Sequence, residues 1–206
     1  MCQRISLIFI LLNLLFFVGP LCAYTPLKAP KIVVIPSSSH LKSFLEARDS
    51  LYRELKEKGL PLPEIKVLTL SEEENLLKKE LSSCEVLLLN LMGRSAFEAT
   101  RAYLPEIKKR GGYIFGLYSQ GSYDEEMKSL GIAIDPKIED FNSEGGKENL
   151  YGLYVYILKT LFNYPLSVPE VKRIPAFGIY DCKKKRYYSE GDLEEYFNSL
   201  QKESKW

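Results

Sequence analysis

The side chains best suited to hold a ligand fall in a few short polar segments. Ser37-Ser38-Ser39-His40 is the first, and His40 is the chain's single histidine. Gly93-Arg94-Ser95 is the second and Ser119-Gln120-Gly121-Ser122 the third. Each offers hydroxyls or amides next to an expected helix start, where unpaired N–H groups favour anions. Arg94 has the fork that pairs bidentately with a carboxylate. The plainer account is that the serines cap helices and shape turns while Arg94 is a surface charge. Further along, Gly145-Gly146 permits backbone turns closed to other residues. Glu148 and Asn149 behind it can contact a ligand or partner, or cap the following helix. A metal site from His40, Asp181 and Cys182 would need the fold to bring three distant segments together. No nucleophile–base pair, phosphate loop or carboxylate dyad has a defensible spacing. A single imidazole rules out a histidine-rich metal site, and any Ser-His-Asp triad not built on His40.

These segments sit between elements of regular pattern. Lys31–Pro36 is a β-branched run and reads as a buried strand. Leu41, Phe44, Leu45, Leu51, Tyr52 and Leu55 recur at helical spacing up to Gly59. Residues 64–70 alternate as a second strand, and Ser71-Glu72-Glu73-Glu74 has the capping-box pattern of a helix running to about Ser82. Residues 85–91 are apolar throughout, as in a central parallel strand covered on both faces. A helix through Phe97, Leu104 and Ile107 follows, then a strand over 113–118, a short helix from Asp124 to Leu130, and a possible fifth strand at 132–134. Strands alternating with helices over short links predict an α/β fold: a three-layer, flavodoxin-like parallel sheet of four to five strands. A C-terminal helical and extended extension is expected beyond it. The polar ligand-type loops then lie at strand carboxyl ends, where open parallel sheets bind ligands.

The chain ends bound the rest. Arg4 precedes the apolar run Ile5–Val18, Gly19-Pro20 breaks it, and Ala23 supplies a small residue. This is the order of a secretory signal over residues 1–23. The chain is therefore expected to be exported, periplasmic or extracellular, or membrane-anchored through that segment if it is not cleaved. Residues 24–30 read as a linker, 31–140 as the α/β domain and 141–206 as the extension. Acids and bases are balanced, with 28 Lys+Arg and 27 Asp+Glu, so nucleic acid is not an expected partner. Of the four cysteines, Cys84 and Cys182 remain after the signal. They can pair in an oxidising compartment, or Cys84 can simply be buried in its strand.

The tail has its own motifs. Asn142–Asn149 is a glycine-containing polar loop. Leu150, Leu153, Tyr154, Ile157, Leu158, Leu161 and Phe162 make a wide apolar stripe, and Tyr151, Tyr156 and Tyr164 lie along the same stretch. Pro175-x-x-Gly178-Ile179-Tyr180-Asp181 follows, then the basic turn Lys183-Lys184-Lys185-Arg186, then a helix containing Asp192-Leu193-Glu194-Glu195-Tyr196. Glu144-Gly145-Gly146-Lys147-Glu148-Asn149-Leu150 with these later segments, and Leu88–Gly93 upstream, resembles the N-terminal region of the CobN family, the large subunits of cobaltochelatase and magnesium chelatase. The family often has His-Pro after Gly-Ile-Tyr where this chain has Asp181-Cys182, so a role of that histidine is not carried over to this chain.

The resemblance implies tetrapyrrole or cobalamin metal handling, with a tetrapyrrole or corrinoid as ligand and no covalent cofactor. It covers nearly all of the mature chain but only the front of the family, so the metal-handling bulk of those proteins is missing. The expectation is a module that is non-catalytic alone. It would dock onto a separate chelatase remainder or bind the macrocycle, whose carboxylates Arg94 would meet and whose flat ring the aromatic residues could stack on rather than pack the core. Two alternatives stand beside it: part of an active chelatase or dechelatase, and a periplasmic α/β domain binding a small ligand or a protein.

Overall fold

The computed structural model describes residues 27–71, 74–118, 123–173 and 178–203. The expected signal segment, the glutamates of the expected capping box at 72–73, and Ser119-Gln120-Gly121-Ser122 lie outside them. Four parallel strands form the central sheet: β1 (Lys31–Ile35), β2 (Glu64–Val67), β3 (Val86–Asn90) and β4 (Tyr113–Leu117), in the order β2-β1-β3-β4. All three pairings are parallel, with Ile32 opposite Ile65 and Val86, and Leu88 opposite Phe115. The fifth strand is reduced to one parallel bridge. Ala133 N–H donates to Ile114 and Gly116 N–H to Ala133, extending the sheet beyond β4 by a single residue.

Alternation along the strands builds two cores, because successive side chains point to opposite faces. Ile32, Val34, Val86 and Leu88 face one way; Val33, Ile35, Leu87 and Leu89 face the other. The first face is covered by α1 (Leu41–Glu57), α6 (Pro136–Glu144) and α7 (Gly146–Phe162). The second is covered by α2 (Glu74–Leu81), α3 (Ser95–Thr100), α4 (Leu104–Lys109) and α5 (Glu125–Ser129). This is the flavodoxin-like three-layer sandwich that the strand–helix alternation predicts.

Two local readings are corrected. The stretch from 142 to 149 is no loop: α6 covers Pro136–Glu144 and α7 begins at Gly146, with Gly145 as the only hinge. Asp135 caps α6 by accepting from Lys137 N and Ile138 N at 2.8 and 3.1 Å, and Pro136 occupies the first helical position, where its missing N–H costs nothing. The helix expected through Phe97 and Ile107 is broken into α3 and α4 by a tight turn over Arg101–Tyr103. Pro105 cannot donate to a preceding turn, and the Thr100 hydroxyl bonds back to Ala96 O at 2.8 Å.

Helix α7 is buried along most of its length and packs chiefly on α1. The 140/141 division anticipated from composition falls inside α6. Beyond α7, residues 163–173 run back as a strap over the sandwich, burying Tyr164 and Leu166. The last described unit is an antiparallel hairpin, β5 (Gly178–Asp181) with β6 (Arg186–Ser189), followed by α8 (Leu193–Glu203). Among the described residues no helix is long and apolar enough to cross a membrane.

Candidate functional site

The chain leaves β1 toward β2 on one side and β3 toward β4 on the other, so the strand order reverses between β1 and β3. A crevice outside the carboxyl ends is expected there. A hollow of about 390 Å³ occupies this place. Its polar wall is Ser37 and Ser38 after β1, Thr69 and Ser71 after β2, and Asn90 and Ser95 at the end of β3. Leu70 and Met92 stand exposed at its rim. Met92 also borders a second hollow of about 300 Å³, which continues along the same edge to Tyr118, Glu139 and Ser143.

Ser37 makes no capping bond; its hydroxyl lies 3.0 Å from that of Ser39. Thr69 and Ser71 form a second hydroxyl pair at 2.7 Å. The Asn90 amide oxygen accepts from Met92 N at 3.2 Å, which fixes the turn after β3. Ser95 hydroxyl reaches Gly93 O at 3.4 Å.

Arg94 is placed otherwise than its type suggests. It has a left-handed backbone (φ 60°), sits 5.0 Å over the Phe97 ring and donates to Asp124, to Glu126 at 3.0 Å and to Glu98 at 3.4 Å. Its charge is spent on neighbouring carboxylates, chiefly Asp124, whose bond holds the guanidinium above its ordinary pKa. Arg101 joins the same network through Glu126 and Glu98.

His40 follows Ser37 and Ser38 of the first hollow and contacts Tyr118 of the second. The Tyr118 hydroxyl is 2.6 Å from its Nδ1 and 3.0 Å from its Nε2, donating to whichever is unprotonated, and it also lies 3.4 Å from Asn142 O. Burial lowers the His40 pKa and raises that of Tyr118. Tyr118 takes a left-handed φ of 58°, unusual for a bulky residue and held here by its hydroxyl contacts. Gly145, at φ 60°, lies against the imidazole: a β-carbon there would stand 3.2 Å from its Cε1. Asn142 is 1 % exposed and its side-chain amide has no hydrogen-bond partner among the described residues. Tyr118 and Asn142 were not among the residues singled out from sequence. Asp135-Pro136 was the available signal for Asn142, because it starts the helix that buries it.

The remaining sequence candidates divide. Gly145 and Gly146 form the α6–α7 hinge, and Glu148 is exposed on the first turn of α7. Asn149 is buried and clamps the strap. Its Nδ2 donates to Lys172 O at 2.9 Å and its Oδ1 accepts from Lys172 N at 2.8 Å. Tyr154 and Tyr164 are core residues, and Tyr151 and Tyr156 are tied to Glu54 and Asp135. Asp181 closes the hairpin turn by accepting from Lys183 N and Lys184 N at 2.8 and 3.0 Å. Cys84 and Cys182 are free thiols; burial pushes the Cys84 thiol up to about 11, so it stays protonated. Among the described residues no three His, Cys, Asp or Glu side chains are arranged to hold a metal.

Fold and edge together define a flavodoxin-like sandwich with a hollow at its switch point that is lined, among the described residues, by hydroxyls and an amide. No family model and no curated protein matches the sequence. Among solved structures, the chain is similar to the catalytic subunit of cobaltochelatase from Mycobacterium tuberculosis, with a TM-score of 0.50 and 14 % identity. The match covers 75 % of this chain and 12 % of that one, so the likeness is one of fold over a small part of a much larger protein.

Proposed function

We propose that this chain is an exported, CobN-like module of tetrapyrrole metal handling, non-catalytic by itself, which presents its carboxyl-edge hollow to a corrinoid or related macrocycle. The observation that carries the reading is the coincidence of two independent likenesses. The ordered motifs from Glu144 through Tyr196 resemble the front of the chelatase large subunits, and the sandwich shares its fold with a part of one such subunit. Only a small part of that subunit is matched, so its activity as a whole is not carried over to this chain.

Docking to a separate chelatase-like remainder belongs to the same proposal. It is supported by the large apolar side chains exposed on the C-terminal unit, Tyr180, Phe197 and Leu200. Absorbance titration of the purified chain with corrinoids and porphyrins, with and without cobalt, tests the ligand. Co-purification with a chelatase-like chain tests the partner. The expected result is a band shift with a macrocycle and no metal insertion by this chain alone. Silence in both assays overturns the proposal, and unaided insertion would make the chain an enzyme.

A further inference from the structure

His40 sits between two helix ends. It is the residue before α1, and Gly145, the hinge after α6, lies against its imidazole. Gly145 holds φ 60° and ψ −159°, a region essentially confined to glycine, so the hinge backbone and the ring are kept in direct contact. The Tyr118 hydroxyl, directly after β4, is 2.6 Å from Nδ1 of the ring, 3.0 Å from Nε2 and 3.4 Å from Asn142 O in the last turn of α6.

A hydroxyl has one proton and cannot give it to two acceptors. With a neutral imidazole the proton goes to the ring nitrogen that carries none. An imidazolium has no such nitrogen, because both are donors. Tyr118 must then accept from the ring, and its own proton needs another partner. Among the described residues, Asn142 O is the acceptor within its reach.

The surroundings suit such an exchange. Tyr118 has a left-handed φ of 58°, and bulky residues held in such conformations cluster in switch regions. The Asn142 side chain is buried without a partner among the described residues, so it does not lock the last turn of α6 in place. Glu139 of α6 is the charged group that acts on Tyr118, and none among the described residues acts on His40 itself. Lys42 of α1 is turned to solvent beside Glu46, and Lys147 of α7 lines a different hollow with Ser50 and Lys172. Burial lowers the His40 pKa, so the ring is neutral at neutral pH and takes up its proton below pH 6.5.

We propose that His40, Tyr118 and Asn142 form a proton-linked latch between β4 and α6, in which proton uptake by His40 reverses its hydrogen bond with Tyr118 and turns the Tyr118 proton onto the Asn142 carbonyl. Tyr118, Glu139 and Ser143 wall the second hollow, so the latch sets one side of that hollow as the pH falls. It needs no ligand and stands apart from the macrocycle reading.

The single histidine makes the test direct. In the isotope-labelled full chain, the imidazole nitrogen resonances of His40 and the carbonyl carbon resonance of Asn142 are followed by NMR from about pH 8 to about pH 5. The Asn142 carbonyl should move downfield, as a carbonyl does on accepting a hydrogen bond, with the midpoint of the His40 titration. In Tyr118→Phe, His40 should still titrate while the Asn142 carbonyl stays still. In His40→Gln, whose amide oxygen accepts from Tyr118 at every pH, the carbonyl should also stay still. Movement that survives in either variant overturns the latch, since it then comes from a nearby charge or another titrating group. So does a wild-type carbonyl that stays still while His40 titrates, or a His40 that remains neutral until the chain unfolds in acid.

Discussion

At the scale of single residues, the structure separates side chains that brace the site from those that face it. Asn149 braces. Its two hydrogen bonds to the backbone of Lys172 are the side-chain anchor of the strap on α7. Leucine at this position keeps the volume and removes both part-buried bonds to the Lys172 backbone, each worth about 0.5–1.5 kcal/mol. Asn149→Leu should lower the urea midpoint accordingly, with little change in far-UV circular dichroism. His40 is a different case, because its protonation is linked to folding. Burial lowers its pKa from the ordinary 6.5, so the unfolded chain takes up the proton first as pH falls. The stability that neutral His40 contributes is full above pH 6.5 and is lost as the pH drops through the folded value. The wild-type unfolding free energy should therefore slope downward below pH 6.5, and His40→Gln should flatten that part of the curve. A curve of unchanged shape in the variant would show that another group sets the slope.

At the scale of elements, what could be read from the sequence was what period and turn chemistry encode. The strands at 31–35, 86–90 and 113–117 were legible because β-branched or apolar runs between polar turns admit few other readings. Helix α7 was legible because Leu150, Leu153, Tyr154, Ile157 and Leu158 make an apolar stripe, and all are buried. Helix α6 was not, because its apolar residues Ile138 and Phe141 are too few to set a period, and its start is marked only by Asp135-Pro136. The β5–β6 hairpin was missed because a charged turn between short polar strands lacks alternation. For the site, the serine loops were legible as strand-end loops, while Arg94's commitment to Asp124 depends on a contact 30 residues away. Such long-range pairings leave no local trace. The packing of α7 also gives a sharp test. A β-carbon at Gly152 would stand 2.5 Å from Phe141 Cε1 and 3.0 Å from Pro169 Cγ, pressing α6 and the strap away together. Gly152→Ala should destabilise the fold by about 1–3 kcal/mol through overpacking, although alanine is the better helix former. Thermal or urea unfolding would read this directly, and a more stable variant would mean that the α6–α7 contact is slack.

At the scale of the whole molecule, the question is which parts form one cooperative unit. The strap belongs to the sandwich. Tyr164 and Leu166 are in its core, the Tyr164 hydroxyl donates to Pro61 O at 3.0 Å, and Arg173 bridges Asp140 and Glu144 on α6. The hairpin with α8 is built differently. Its dense contacts are internal, around a buried Tyr188 whose ring lies 5.0 Å from Tyr196, with Arg186 stacked at 4.6 Å and paired to Glu195. It lends little buried surface to the sandwich, so its removal should cost the sandwich little. A chain ending at Arg173 should keep a cooperative unfolding transition with a midpoint within about 5 °C of the parent, roughly what 1 kcal/mol produces in a domain of this size. A chain ending at Asn163 loses two core side chains and the partner of Asn149, and should be largely unfolded. If the chain ending at Arg173 failed to fold, the C-terminal unit would be part of the core rather than an appendage. Its exposed Tyr180, Phe197 and Leu200 would then need another explanation than a surface for a partner.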